Sequence, residues 1–306
     1  MARPTTVHRP PPAALMVLAA FSWALGIVMT KVTLEQLAPL DVLAAELLVG
    51  GSVVWIALLA RGGPRRPAGW LSFALLGLLE PGLSYALGDF GLDRTGVADG
   101  ALLLASESLF TLLLAWSALG ERFGPRVGAA LALGFGGSVL IGLGESGNGA
   151  SVLGDALVLG GSAAAAVYAV AARRVASAGD SDPLTVTAIQ LLAAAIASAP
   201  LVAGGALSGH SAVASADAAH LLAAVATGLL STAIPFFLYN RAIRDLQVAS
   251  AALVLNLIPV FGAGLAVVLL MERPGWVQIG GGAIVLIAAL GAEGRDAARP
   301  PGHASA

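Results

Sequence analysis

Ten apolar runs of about twenty residues each decide what this 306-residue chain can become, because that is the length a helix needs to cross the hydrocarbon of a bilayer. No water reaches that layer to satisfy the backbone, so each run must close its hydrogen bonds within itself as a helix. The runs read as spans at 13–32, 40–60, 69–88, 97–118, 125–144, 152–172, 183–203, 219–240, 248–270 and 275–293. The first resembles a signal peptide, but it is long enough to span and nine similar runs follow it. The connections are short, and the longest, about 204–218, is rich in Gly, Ser and Ala. The expected organisation is a flexible tail over 1–12, a first half over 13–146, a second half over 147–293 and a tail over 294–306.

Composition agrees. The chain is 58% hydrophobic and 11% charged, with a mean hydropathy of +0.88. Soluble domains carry about a quarter charged residues. The net charge of −2 makes no electrostatic case for nucleic acid. There are no cysteines, which excludes disulfides, thiolate catalysis and cysteine-ligated zinc. The 39 glycines suit membrane helices whose backbones approach closely.

The chain is also doubled. Val97–Arg122 returns as Val248–Arg273 at an offset of 151, with 11 of 26 positions identical. The shared Glu121-Arg122 and Glu272-Arg273 that end the two runs are the most telling matches. A second echo sets Pro39-Leu40 and Glu46-Leu47-Leu48 against Pro183-Leu184 and Gln190-Leu191-Leu192, at an offset of 144. A period this long means two similar halves.

Charge orients them. With the amino terminus inside, the inner segments hold 13 basic residues: Arg3, Arg9, Arg61, Arg65, Arg66, Arg122, Arg126, Arg173, Arg174, Arg241, Arg244, Arg295 and Arg299. The outer segments hold three, Lys31, Arg94 and Arg273. The positive-inside rule therefore places both termini in the cytoplasm. Each half has five spans, an odd number, so the second enters the membrane inverted. The expected fold is an all-α membrane protein of ten transmembrane helices in two inverted five-helix repeats. Inverted repeats are a recurring plan of secondary transporters, with the site at their interface.

On these residues the sequence resembles the drug/metabolite transporter superfamily, in particular its ten-span EamA-type branch, over roughly 13–293. The doubled pattern carries the resemblance: Gly120-Glu121-Arg122 then Gly128, Gly134, Gly136 and Gly137, and Met271-Glu272-Arg273 then Gly280, Gly281 and Gly282. Phe21-Ser22-Trp23 is similar to the family's aromatic-small start. The second copy keeps Pro259, where the first has Ser108. Glu46 stands where many relatives carry a basic residue. The resemblance implies export or exchange of small metabolites, commonly amino acids, with the amino-acid exporters, including those for aromatic amino acids, most similar.

Ionisable groups within spans are costly and so are functional candidates, at about 2.5–3.5 kcal/mol each on insertion scales. Here they are Glu46, Glu80, Asp99 and Glu107, with Gln190 and Asn256 as uncharged polar counterparts in the second half. Glu107 lies near mid-depth, where it meets a substrate ammonium or a coupling proton, or is a protonated acid bonded to a neighbouring helix. Gln190 is the repeat partner of Glu46, which leaves structural glue as the other reading of that level. Glu80 precedes Pro81-Gly82, where proline must bend the helix. Pro81, Pro235 and Pro259 are hinge candidates, although such prolines are also common packing features. Trp23, Tyr85 and Tyr239 can stack on a substrate or receive its ammonium by cation–π contact, against the plainer reading of interfacial aromatics. The stripe Gly134, Ser138, Gly142 reads as helix packing within the chain or as a homodimer face.

Other patterns carry little. Gly142, Gly144 and Gly147 match a dinucleotide-binding pattern but follow a membrane helix rather than a strand. His210, Asp217 and His220 lack the tight spacing of a metal site. No P-loop, HExxH or G-x-S-x-G motif is present. The expectation is a secondary transporter of the bacterial inner membrane, not an enzyme and without cofactor, that exports small metabolites, amino acids first, with proton coupling or none. Nucleoside, sugar or drug export is the alternative, and a membrane scaffold or enzyme the remote one. Phosphorylated substrates are disfavoured because no basic residue sits at mid-depth.

Overall fold

The structure, a computed structural model, describes residues 10–64, 69–94, 103–104, 106–120, 124–143, 151–177, 181–269 and 275–293. These are helical, with no strand among them. In chain order they form α1 (Pro12–Leu34), α2 (Pro39–Ala60), α3 (Trp70–Leu92), α4 (Glu107–Leu119), α5 (Pro125–Leu143), α6 (Val152–Ser177), α7 (Pro183–Leu207), α8 (Ala218–Ala242), α9 (Val248–Leu255 and Leu257–Leu269) and α10 (Trp276–Glu293). Seven are long and apolar enough to cross a membrane, and three shorter apolar stretches lie in α4, α5 and α10. Asp99, Glu121, Arg122, Glu272 and Arg273 lie outside the described residues.

Helix starts follow local chemistry. Pro12, Pro39 and Pro183 stand at the first turns of α1, α2 and α7, where a missing N–H costs nothing. The Asp182 carboxylate caps α7 by accepting from the Thr185 N–H at 3.0 Å. Asp217 does the same for α8 through the His220 N–H at 3.0 Å. The Gln36 amide also donates to Asp217, at 3.0 Å, and ties the α1–α2 turn to the α8 start. Large apolar side chains such as Leu48, Ile56, Leu192 and Ile196 face outward, as a lipid-facing surface requires.

The packing is reciprocal between the halves. α1 lies on α8 and α9, and its counterpart α6 lies on α3 and α4. α2 meets α8 as α7 meets α3, while α2–α7, α4–α9 and α5–α10 pair counterpart with counterpart. This is the contact pattern of a two-fold relation. Glycines make the crossings tight enough. A Cβ on Gly77 would lie 2.2 Å from the Gln190 carbonyl oxygen, and one on Gly228 would lie 2.7 Å from that of Ala45. Gly77 and Gly228 are 151 residues apart, so the repeat register extends upstream from Val97 and Val248 to Gly77-Leu78-Leu79 and Gly228-Leu229-Leu230. Gly137 presses on the Gly281 carbonyl in α10, and Gly134 of the small-residue stripe meets Asn256 in α9.

Two outcomes are expected. Gly77→Ala forces α3 off α7 and destabilises by about 1–3 kcal/mol, the range for overpacking a tight contact, read as a lower thermal midpoint in detergent. The Asp217 carboxyl is held down at about 2 by the His220 N–H and ring and by Gln36. A depressed carboxylate stabilises above its unfolded value near 3.9, and that contribution is lost as pH falls through about 2. Pepsin nicking of the 208–217 loop is therefore faster in Asp217→Asn than in the parent at about pH 4, and the two rates converge near pH 2.

Candidate functional site

Two helices are broken at equivalent places, and the breaks build the site. α3 is interrupted over Leu78–Leu83, where Glu80 takes an extended backbone (φ −147°, ψ 124°) just before Pro81. α8 widens into a π-helical turn over Gly228–Ala233, with Pro235 just beyond. α9 breaks at Asn256, and Pro259 follows in the next turn. All three prolines stand beside interruptions, because proline can neither donate to the preceding turn nor fit its carbonyl. The freed polar groups are taken up across helices. The Ser22 hydroxyl donates to the Leu230 carbonyl at 2.9 Å, and the Thr232 hydroxyl to the Glu46 carbonyl at 2.8 Å. The Tyr85 hydroxyl donates to the Ser231 carbonyl at 2.5 Å and accepts from the Trp23 indole N–H at 2.9 Å.

Between the halves lies a cavity of about 250 Å³. Trp23, Glu46, Glu80, Tyr85, Glu107, Tyr239 and Asn256 all line it. Gln190 stands apart: it is fully buried in a second, small pocket with Asn240. The aromatic groups form a floor. Trp23 meets Phe236 and Tyr239 edge-on at 5.6 and 5.8 Å, and Tyr168 lies 6.0 and 5.8 Å from the same two rings. Below the floor, buried Met16, Val186, Ala242 and Ile243 seal the end where α1 begins and α8 finishes. The opposite end, where α1 and α3 finish, carries the partly exposed Lys31 and Leu92 and is the mouth.

The walls carry two levels of carboxyl groups. Near the floor, Glu80 and Glu107 are close enough to interact electrostatically, and both also act on Tyr239. Near the mouth, Glu46 accepts from the Thr30 hydroxyl at 3.3 Å and interacts with Asp89. Sequence reasoning missed Asp89, because the third span was ended at residue 88 and α3 continues to Leu92. The signal was available, since the 151 register sets Asp89 against Asn240, a polar residue in both repeats. Among the described residues, four buried polar atoms lack a hydrogen-bond partner: Glu46 Oε2, Asp89 Oδ2, Tyr239 OH and Asn256 Nδ2. All four residues line the cavity. Buried polar atoms are nearly always paired, so orphans gathered around one cavity mark where something polar is received.

Comparison with known proteins agrees with this architecture. The profile of the EamA-like transporter family matches residues 11–143 and again 152–292. An uncharacterized transporter of Archaeoglobus fulgidus is 24% identical over 277 residues, covering 89% of this chain and 93% of its own. An uncharacterized protein of Pseudomonas aeruginosa is 30% identical over 296 residues, covering 93% and 97%. A protein known by crystal structure superposes with a TM-score of 0.75 at 23% identity, over 92% of this chain and 96% of its own, and shares the fold.

Tyr85 joins α1, α3 and the break in α8, so Tyr85→Phe leaves the Trp23 N–H and the Ser231 carbonyl unpaired. The expected loss is about 1–3 kcal/mol, seen as a lower thermal midpoint in detergent.

Proposed function

The chain belongs to the EamA-like transporter family, as two matches that together span most of its length establish, and from that premise we propose that it exports small zwitterionic metabolites, amino acids first, by alternating access. It is a multi-pass membrane protein and a transporter of small solutes rather than an enzyme. The observation that carries the finer reading is the pairing of opposite chemistries around one cavity. Glu80 and Glu107 offer carboxyl oxygens to an ammonium group, and the faces of Trp23 and Tyr85 offer cation–π contact. Tyr239 OH and Asn256 Nδ2 are buried donors with no partner among the described residues, suited to a carboxylate. Glu46 adds negative field nearer the mouth.

Size argues the same way. The cavity lies just under the roughly 300–1,000 Å³ of drug-sized pockets, which favours a small metabolite. The breaks beside Pro81, Pro235 and Pro259 are the hinge positions of this reading. The basic residues favour both termini in the cytoplasm, and in the bacterial inner membrane of this reading the mouth beside Lys31 then faces outward and the aromatic floor closes the inner side. The two-fold exchange of halves would open the other side.

Purified protein in proteoliposomes should take up labelled amino acids saturably. Glu107→Gln should weaken transport about tenfold or more, as loss of a charged hydrogen bond worth ~1.5–3 kcal/mol would. Absence of saturable uptake across an amino-acid panel, or saturable uptake of a nucleoside or sugar instead, would overturn the substrate class.

A further inference from the structure

Two polar pairs occupy equivalent places in the repeats and stand in different states. The 144 offset sets Glu46 against Gln190, and the 151 register sets Asp89 against Asn240. In the second half the pair is closed. Asn240 Nδ2 donates to Gln190 Oε1 at 2.7 Å and to the Thr187 hydroxyl at 3.0 Å. In the first half the corresponding pair is open. Glu46 and Asp89 are only 2% and 5% exposed, yet among the described residues Glu46 Oε2 and Asp89 Oδ2 have no hydrogen-bond partner, and both residues line the cavity. The closed pair lies at the sealed end and the open pair near the mouth. The flanking residues repeat the contrast: Leu92 is partly exposed at the mouth, while its counterpart Ile243, 151 residues on, is 1% exposed.

We infer that Glu46 and Asp89 form a proton-binding latch for the mouth. This rests on the alternating-access reading. If the halves exchange conformations, closing the mouth brings Glu46 and Asp89 into the arrangement that Gln190 and Asn240 hold now. The amide pair can do this because one amide donates and the other accepts. Two carboxylates only accept. They close only when one proton makes one of them a donor, so that its O–H meets the other's oxygen. The proton comes from water at the mouth and returns there when the pair opens. Two unpaired charges sealed together would instead be a heavy desolvation cost. Acid on the mouth side therefore favours the closed state. The other charged and titratable groups that line the cavity with the pair are Lys31 on α1, Glu80 and Tyr85 on α3, Glu107 on α4, Tyr168 on α6 and Tyr239 on α8, and Asp155 stands in the first turn of α6, which packs on the end of α3 that carries Asp89. None of these is altered in the test.

The absence of cysteine makes the test direct. Leu92→Cys is labelled with a maleimide in detergent from about pH 8 to about pH 5, normalised to a separate Val152→Cys variant at an 87% exposed position. The normalised rate should fall with acid by up to about tenfold per pH unit, the limit for one linked proton. Adding E46Q and D89N installs the amide pair that the second half already uses, and should flatten the profile. E46Q alone also supplies a donor and should flatten it too. A flat profile in the parent, an unchanged slope in properly folded variants, or an equal response to sodium at fixed pH would overturn the latch. The readout needs no substrate. Failure of labelling to respond to pH, beside intact amino-acid uptake, sinks only the latch, and failure of uptake beside pH-dependent labelling sinks only the substrate class.

Discussion

In hydrocarbon a peptide group has no water to turn to, and the structure depends on how each backbone break is covered. α3 and α8 both depart from regular α-helix near their middles, and the buried parts of these stretches, Pro81 and Gly82 in one and Gly228, Ser231, Thr232 and Ala233 in the other, pack against neighbouring helices. Hydroxyls of Ser22, Tyr85 and Thr232 cross between helices to backbone carbonyls at these levels. Glycines bring the backbones close enough for this, as at Gly26 against Ser231 and Gly50 against Thr232. A broken helix is tolerated inside a membrane only where protein or an aqueous cavity receives its polar groups. Here both do, and the cavity forms where the breaks are.

The two halves share a backbone plan but not a chemistry. The carboxyl groups that line the cavity, Glu46, Glu80, Asp89 and Glu107, all come from the first half. At the same positions the second half offers Gln190, Ser231, Asn240 and Ile258. The second half instead supplies orphan donors, Tyr239 and Asn256, and much of the aromatic floor. The scaffold is therefore repeated in backbone and asymmetric in charge, with acids on one side of the cavity and unpaired donors on the other.

Much of this was legible in the residues. Span ends followed from apolar runs bounded by proline, because lipid forces helix on any such run and proline sits well at its first turn. The acids stood out because burying them is expensive, so seven of eight expected site residues share one cavity. Asp89 was lost to a boundary error of a few residues, since a helix can continue beyond its apolar run when its last turns are covered by neighbours. Gln190 was placed with the acids by repeat position alone, but position in a repeat does not say which half is closed.

The sequence by itself determined the helical class, the membrane setting, the doubling and the polar residues at issue, because these follow from hydropathy, length and internal similarity, which are properties of the chain read one stretch at a time. Only the tertiary structure decided that Glu80 and Glu107 meet near the floor and Glu46 and Asp89 near the mouth. It alone decided that Gln190 and Asn240 are joined, and that the Tyr239 hydroxyl and Asn256 Nδ2 have no hydrogen-bond partner among the described residues. These facts depend on how helices far apart in the chain cross, and crossings are settled by packing at Gly50, Gly77 and Gly228, which no single stretch encodes.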